Sequence, residues 1–484
     1  MFHPLTRPAV LAAASTALLL AACSFTPREN ATPPTLPPAW SQAAPAVGWQ
    51  SAEQARDWAA GAWWRLFEDP VLDGLMARVD VGNQNLAVAA ANVAQAEALL
   101  RQQQAGYWPT LTASASAQRG VAESQPVTRS ASTNLAASWS PDLWGRVGDA
   151  VKGQSALAQA SRADLAAARL SAQATLANAY FALREADAET ALIGDIVTGY
   201  ERSARIALNR YDAGVAPRTD TYQAELTLRN AQATRQALAR SRALSEHAIA
   251  LLIGEAPARL TIESATGTTA WAGKVPAIPA GLPSALLLRR PDVASLERAV
   301  ASTNLQIGVA KSAYFPNFSL SRTIGATAPH LLELASAPNL LWSMGLSLTQ
   351  TVIDGGARGA RVEQAEAAHD AAVARYRQAA LTAMREVEDQ LSSLATLDTQ
   401  IAHARAAANA AQRIEQQFLN RYQAGLSAYT EVVTAQASAL TARRTVLQLL
   451  LSRQQAAVTL VQALGGGWEA DWVDELARNT LSKQ

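Results

Sequence analysis

Two long stretches of the chain, residues 145–209 and 355–419, contain no proline and are rich in alanine. In the second stretch, small or apolar residues such as Tyr376, Ala379 and Ala383 recur three or four positions apart, with polar side chains between them. This spacing predicts amphipathic helices with one continuous apolar stripe. At about 1.5 Å per residue each helix would be about 100 Å long, too long for a compact domain. Because alanine lets helices approach closely, we expect an array of helices packed as in a coiled coil.

The two halves of the chain follow the same plan. The segment RYDAGVAPRTD, from Arg210 to Asp220, is echoed by RYQAGLSAYTE, from Arg421 to Glu431. Other landmarks match in the same order: Tyr107-Trp108-Pro109 with Tyr314-Phe315-Pro316, Asp142 and Arg146 with Asp354 and Arg358, and Leu252-Ile253-Gly254 with Ala463-Leu464-Gly465. We infer an internal two-fold sequence repeat of helix, aromatic-proline stop, two strands, long helix, Ala-Gly turn and returning helix. Its copies occupy 63–270 and 271–467, and 468–484 is a C-terminal tail.

Four short segments alternate apolar with small polar residues, which is the pattern of a strand with two different faces. From Trp342 to Thr349, for example, Trp, Met and Leu alternate with Ser, Gly and Thr. The pattern predicts strands at 110–118, 132–140, 317–324 and 341–352, and Arg322 interrupts the third. An apolar exterior with a polar interior is typical of outer-membrane barrels, whereas the alternative is a half-buried sheet in a soluble domain.

The N-terminus has the features of an exported lipoprotein. The apolar run from Val10 to Ala22 has the length of a signal-peptide core and is too short to span a membrane. It ends in Leu-Ala-Ala-Cys23, similar to the bacterial lipobox, and Cys23 is the only cysteine in the chain. We predict a signal peptide at 1–22, a covalent lipid on Cys23 and a proline-rich tether over 23–62, with Ser24 favouring the outer membrane. The alternative is an ordinary cleavage site beside an incidental cysteine.

Charge and hydropathy narrow the possible partners. The net charge of +1, from 41 basic and 40 acidic side chains, provides no basic stripe for a nucleic acid. No later segment is a continuous apolar run long enough for a spanning helix, so a mature chain that crosses a membrane must do so as a closed barrel. Four strands are too few to close a barrel, since the smallest need about eight. The chain must therefore supply strands to an oligomer, and a homotrimer would give twelve strands.

Four aromatic residues lie where the predicted helices meet the predicted strands. Tyr107 and Trp108 precede one helix-stopping proline, and Tyr314 and Phe315 precede the other. Aromatic rings at such positions suit a membrane interface. The alternative is that they are core residues before a proline that ends a helix.

Five motifs follow one another along nearly the whole mature chain: Trp63-Trp64-Arg65-Leu66-Phe67-Glu68-Asp69-Pro70, Asp142-Leu143-Trp144-Gly145-Arg146, Leu287-Leu288-Arg289-Arg290-Pro291-Asp292-Val293, Tyr314-Phe315-Pro316 and Ile353-Asp354-Gly355-Gly356. Together they resemble the TolC superfamily of outer-membrane factors, most closely its OprM and NodT lipoprotein branch. The resemblance implies a mainly α fold with a small β part. It also implies a trimeric twelve-stranded outer-membrane β-barrel, with four strands per protomer, that continues into a long α-helical periplasmic barrel.

The repeated Ala-Gly motifs lie in two predicted tip turns, 211–218 and 422–429, the second of which follows a long helix over 355–420. Glycine suits the left-handed conformation that ends a helix, and a carboxylate suits the start of the next, so local structure alone explains these residue types. The resemblance adds that the tips contact a periplasmic adaptor through Gly214, Val215, Ala216, Pro217, Gly425, Leu426, Ser427 and Ala428.

The same resemblance implies a periplasmic gate near these tips. The matching residues are Asp220 and Glu431, with Arg218 as a partner in a closing network. Three copies of each carboxylate in a narrow bore would favour cations. Thr434 stands where some relatives carry a second acidic residue, so a doubled acidic ring is not expected here.

The function implied by the resemblance is that of a passive outer-membrane channel, exporting small molecules delivered by a periplasmic adaptor (membrane fusion protein) and an inner-membrane pump. The alternatives are the channel of a type I protein or peptide secretion system and a non-conducting, lipid-anchored coiled-coil scaffold.

We expect neither catalytic residues nor a metal site, and no cofactor other than the lipid on Cys23. His247, His369 and His403 lie in helical stretches without a second ligand at metal spacing. The glycines at 465–467 follow a helix and lack the lysine of a phosphate loop.

Overall fold

The computed structural model describes residues 62–120, 127–265, 290–330 and 340–468, together with a few single positions outside these ranges. The signal peptide, Cys23 and the C-terminal tail beyond Trp468 lie outside the described residues. The helices are α1 (Pro70–Gly82), α2 (Gln84–Gln104), α3 (Arg146–Asp212), α4 (Arg218–Leu252), α5 (Pro291–Ser312), α6 (Ala357–Gln423) and α7 (Tyr429–Ala463). The strands are β1 (Thr110–Gly120), β2 (Thr128–Trp139), β3 (Asn317–Ala328) and β4 (Leu340–Thr349).

These elements confirm the prediction of a mainly helical chain with a small β part. The two long proline-free stretches form α3 and α6, each of 67 residues. The chain divides into two compact units: one holds 91–162 and 295–378, and the other holds 34–90, 163–294 and 379–484. In the described part of the chain, no helix is both long enough and apolar enough to cross a membrane.

The first unit contains one antiparallel sheet in the order β1-β2-β3-β4. Its register places apolar residues opposite one another on one face, as in Leu135 opposite Ile324 and Leu320 opposite Leu346. This face is open to solvent in the single chain, where Trp342 is 74% and Leu346 72% exposed. Such a wide exposed apolar face calls for a covering partner, either another protein surface or lipid.

The opposite face of the sheet is lined by hydroxyl groups. Side-chain hydrogen bonds link facing residues across it: Thr110 with Ser138 at 2.7 Å, Ser116 with Ser132 at 2.9 Å, and Ser319 with Ser347 at 2.7 Å. The predicted alternation of the strands therefore corresponds to two chemically different faces.

Strand β3 runs through Arg322, the residue that interrupts its apolar alternation. The strand continues to Ala328, since backbone pairing with β2 on one side and β4 on the other holds its register. Arg322 lies between Ala137 and Met344, on the apolar face. Strand β2 begins earlier than expected, at Thr128, and β4 ends at Thr349.

An aspartate lies just before the first turn of each long helix, α3 and α6. Asp142 accepts hydrogen bonds from the backbone N–H groups of Val147 at 3.1 Å and Gly148 at 2.7 Å. Asp354 accepts from the N–H groups of Gly356 and Arg358, each at 3.1 Å. Each carboxylate thus satisfies N–H groups that the first turn of a helix leaves unpaired.

The second unit is built from long helices packed through small side chains. In α4 the buried residues Ala224, Ala231 and Leu238 recur every seven positions, which is the spacing of a coiled-coil seam. Leu238 packs against Ile193 and its neighbours on α3 in one apolar cluster. The alanine-rich composition therefore permits close helix pairs, as expected from the sequence.

A buried ionic network fixes the segment after α4. Asp187, only 4% exposed, accepts hydrogen bonds from Arg242 at 2.6 Å, from Arg184 at 3.3 Å and from the backbone N–H of Ala265 at 3.1 Å. Arg242 also donates to Glu246, whose second oxygen accepts from the backbone N–H of residue 262. The network ties 262–265 to α3 and α4.

Candidate functional site

The helical hairpin turns of the second unit hold the predicted tip and gate residues. Gly214 has φ 68° and Gly425 has φ 76°, both in the left-handed region that favours glycine. The N–H of Val215 donates to the Arg210 carbonyl at 2.9 Å, and the N–H of Leu426 donates to the Arg421 carbonyl at 2.8 Å. Both turns therefore end a long helix with the same backbone bond from the residue after the glycine.

Both turns expose an apolar residue at the apex. Val215 is 62% exposed and Leu426 is 70% exposed. Pro217 precedes α4 and Ala428 precedes α7, both with extended backbone and without a side-chain cap. Of the remaining predicted tip residues, Gly214 and Gly425 come directly before the exposed apolar residues, and Ala216 and Ser427 come directly after them.

The two turns lie side by side. The Arg210 guanidinium donates to the Gln423 carbonyl at 2.9 Å and lies 5.0 Å from the ring centre of Tyr422. The Tyr422 hydroxyl donates to the Asp220 carboxylate at 2.9 Å. Two hydrogen bonds, each with one charged partner, and one cation–π contact thus join the α3–α4 hairpin to the α6–α7 hairpin.

Tyr422 is held in a small buried core. Its ring packs edge-on against Tyr429 at 4.9 Å, beside Ala207, Ala224 and Val432. Burial, and then the hydrogen bond to Asp220, raise the pKa of Tyr422 to about 12. The hydroxyl therefore keeps its proton at neutral pH and remains a donor to Asp220.

The other two predicted gate residues lie apart from this bond. The Arg218 guanidinium lies 5.4 Å from the ring of Tyr222 and 5.9 Å from that of Tyr211, all on its own hairpin. Among the described residues it forms no ion pair. Glu431 lines an open groove of about 350 Å³ between α6 and α7, together with Ile414 and Phe418.

Sequence reasoning missed Arg210 and Tyr422, although both belong to the repeated Arg-Tyr pair. The repeated Arg-Tyr pair was the sequence signal for these two residues, because the helix-ending role of the Ala-Gly motif does not explain why an arginine and a tyrosine precede it. The structure therefore groups Asp220 with Arg210 and Tyr422, and leaves Arg218 and Glu431 with other neighbours.

In the sheet-containing unit, the predicted interface aromatics take different positions. Trp108 is 75% exposed, and Tyr107 and Tyr314 are also exposed. Phe315 is half-buried and stacks on Trp144 at 5.0 Å, while the Trp144 indole donates to the Pro316 carbonyl at 2.7 Å. Their assignment to a membrane interface stays a prediction.

Two carboxylates, Glu185 and Glu189, lie close together on α3. Glu189 is buried and accepts a hydrogen bond from Arg444. Burial, and then the neighbouring Glu189, raise the pKa of Glu185 from its ordinary 4.5 to about 7. The pair therefore holds one carboxyl group that changes charge near neutral pH.

A pH-dependent stability is expected from Glu185. Because its pKa is raised on folding, its contribution is fully present below pH 4.5 and is lost as the pH rises through about 7. The thermal unfolding midpoint of the wild type should fall across this window, and Glu185→Gln should flatten the fall. Circular dichroism at 222 nm, recorded during heating at each pH, measures the unfolding midpoint of both proteins. Asp195→Asn, at an exposed carboxylate of the same helix, should leave the slope intact; an equal flattening in both variants would contradict the assignment.

Among the described residues, no group of three or more histidine, cysteine or acidic side chains could hold a metal ion. What the described ranges do contain is paired long helices with tight turns, and a sheet with one apolar and one hydroxyl-lined face. This is the architecture of the outer-membrane factors.

The chain belongs to the outer membrane efflux protein family, whose model matches residues 76–255 and 282–466. This membership confirms the resemblance to the TolC superfamily. The protein is an outer-membrane protein. The solved structure of the outer-membrane channel OprN has a TM-score of 0.81 and 28% identity to this chain, and covers 92% of this chain and 100% of its own.

Two relatives match nearly end to end. The antibiotic efflux pump outer membrane protein ArpC of Pseudomonas putida is 28% identical over 467 residues, 95% of this chain and 96% of its own. The pyoverdine export outer membrane protein OpmQ of Pseudomonas aeruginosa is 30% identical over 473 residues, 94% of this chain and 96% of its own. The family and these relatives are channel or pump proteins rather than enzymes.

Proposed function

We propose that this protein is the outer-membrane channel of a tripartite efflux system. It would act as a passive conduit for small molecules delivered by a periplasmic adaptor and an inner-membrane pump. The observation that carries the proposal is the sheet, which has an exposed apolar face, a hydroxyl-lined face and two unpaired edges, β1 and β4.

An open four-stranded sheet is not stable in lipid, because its edge N–H and C=O groups would lack partners. Pairing β4 of one copy with β1 of the next removes these edges. Three copies would give twelve strands, within the range of known outer-membrane barrels. The apolar face would then meet lipid, and the serine and threonine hydroxyls would line the water-filled interior.

The hairpin turns would form the periplasmic entrance in this assembly. Two turns from each of three copies make six tips, and exposed Val215 and Leu426 offer apolar contacts to an adaptor. Asp220 and Glu431, with Arg218, are proposed as gate residues around the bore. The similarity to ArpC and OpmQ, which are named for antibiotic and pyoverdine export, supports small molecules as the transported class.

Single-channel recording in planar bilayers tests the proposal. The purified protein should give stepwise currents. A charged, membrane-impermeant thiol reagent should reduce the current of Ser321→Cys, on the hydroxyl-lined face, but not that of Leu320→Cys, the adjacent residue on the apolar face. Background modification by the thiol reagent is low because Cys23 is the only native cysteine.

Two outcomes would contradict the channel. The absence of current from the folded wild type would favour a non-conducting scaffold. Equal block of both cysteine variants would mean that the two faces do not separate lipid from lumen.

Lipidation of Cys23 is proposed as the second attachment to the membrane. The Cys23→Ala protein should still trimerise, because the barrel supplies assembly, but should reach the outer membrane poorly because it lacks the acyl chains. Membrane fractionation followed by native electrophoresis measures both properties. Ser24→Asp provides the matched comparison, since it should keep the lipid and shift the protein toward the inner membrane. An unchanged outer-membrane yield of Cys23→Ala would contradict the lipobox assignment.

A further inference from the structure

Two arginines face each other at the hairpin end of β1 and β2. Arg119 and Arg129 are direct partners in the antiparallel register, one step before the final pair of Gly120 and Thr128. The Thr128 hydroxyl donates to the Gly120 carbonyl at 3.3 Å, so both arginines lie on paired backbone rather than in the turn. Side chains at directly opposed positions start only about 5 Å apart, close enough for both guanidinium groups to reach one ligand.

Nothing described near these arginines neutralises them. Both are exposed, and neither forms an ion pair with any residue that the structure describes. Strands β1 to β4 contain no aspartate or glutamate. Like charges placed directly opposite destabilise a strand pair, so an anion that bridges them would stabilise this end of the sheet.

The position of the pair on the sheet limits what the anion can be. Both arginines are on the apolar face, in line with Leu111, Ala113 and Leu135. From Thr110 to Arg119 the strand rises about 30 Å, which at a tilt of about 40° spans about 23 Å of membrane. An outer-membrane apolar band is about 25 Å tall, so the pair lies at its outer edge, at the level of lipid headgroups.

We propose that Arg119 and Arg129 form a binding site for the phosphate of a lipid headgroup in the outer leaflet. The inference rests on the proposed function, because it requires the sheet to span the membrane with its hairpins outward. Arginine suits this ligand, since its planar fork pairs with two phosphate oxygens while its stem lies along apolar surface.

Native mass spectrometry of the full-length protein tests the site, using phosphatidylcholine nanodiscs that also contain either diphosphoryl lipid A or its dephosphorylated form. After transfer to detergent, the wild type should retain lipid A and release its dephosphorylated form. Arg119→Gln/Arg129→Gln should retain about tenfold less, because two charge-assisted contacts are lost. Arg119→Lys/Arg129→Lys keeps the charge without the fork and should retain an intermediate amount, which preserves the test if the glutamine variant folds poorly.

Arg322→Gln is the matched control, because it removes the same charge from the same face but at the opposite end of the sheet, in register with Ala137 and Leu111. It should retain lipid A as the wild type does. Equal retention by Arg119→Gln/Arg129→Gln and the wild type would overturn the proposal, as would displacement of the lipid by inorganic phosphate alone. Glu123, which lies outside the described residues, provides a further check: lipid A retention seen only in Glu123→Gln would mean that this carboxylate neutralises the pair, and would also overturn the proposal.

Planar-bilayer recording separates this inference from the proposed channel. The Arg119→Gln/Arg129→Gln protein should conduct as the wild type does, since neither arginine faces the hydroxyl-lined side. A wild type that conducts without retaining lipid A would refute the lipid site alone. A wild type that does not conduct would refute the channel.

Discussion

Replacing Tyr422 with phenylalanine is expected to favour the open state of the periplasmic tip by about 10- to 100-fold per protomer. The Tyr422 hydroxyl donates to Asp220 and so joins the two hairpins of one chain. A hydrogen bond to a charged group contributes about 1.5–3 kcal/mol, and about 1.4 kcal/mol corresponds to a factor of ten. An opening that separates the hairpins must break this bond. Phenylalanine removes only the hydroxyl and keeps the ring contacts with Arg210 and Tyr429.

Single-channel recording in planar bilayers measures this effect as open probability and conductance. Tyr211→Phe is the matched control, because Tyr211 occupies the equivalent place in the other hairpin and contacts Arg218 through its ring. That variant should behave as the wild type. If Tyr422→Phe and Tyr211→Phe gave the same open probability, the bond to Asp220 would have no part in gating.

Replacing Asp187 with alanine is expected to lower the free energy of unfolding by about 3–5 kcal/mol, because it leaves the buried Arg184 guanidinium without a carboxylate partner among the described residues and removes one of the two carboxylates that pair with Arg242. Asp187 accepts from both Arg242 and Arg184. The substitution also frees the backbone N–H of Ala265, so this end of the 262–265 segment should loosen, while Glu246 still accepts from the N–H of Ile262. Chemical denaturation followed by circular dichroism measures the loss of stability, and limited proteolysis near residue 265 reports the loosening.

The exposed ion pair of Glu225 and Arg229 supplies the comparison. Its 3.6 Å contact joins side chains that are more than half exposed, so Glu225→Ala should cost less than about 1 kcal/mol. Asp187→Asn should fall between the two, because the amide oxygen still accepts hydrogen bonds. Equal destabilisation by Asp187→Ala and Glu225→Ala would show that the buried network does not hold the segment.

Local patterns were enough to predict most of the secondary structure. The three- and four-residue spacing of small side chains identified α3 and α6, because a helix places such residues on one face. The two-residue alternation identified the strands for the corresponding reason. Arg322 breaks the apolar alternation of β3 without ending the strand, because β3 is held by backbone hydrogen bonds to strands on both sides.

The candidate site was predicted only in part. The conformations of Gly214 and Gly425 follow from local helix-ending geometry, which the repeated motif made visible. The bond between Asp220 and Tyr422 joins residues 202 positions apart, and the motif contained both without indicating that they meet. Trimer formation and gating remain predictions that the experiments above address, and adaptor contact also stays a prediction.

Residue spacing along the chain thus established which segments are helices, strands and turns, since these depend on neighbours within a few positions. The partners of the charged groups were established by packing: Asp220 with Tyr422, Asp187 with Arg242, and Arg119 opposite Arg129. Each of these pairings brings together different helices or strands. Helix and strand periodicities carry no information about which distant residue will face a given side chain, because that depends on how whole elements align as their apolar surfaces are buried.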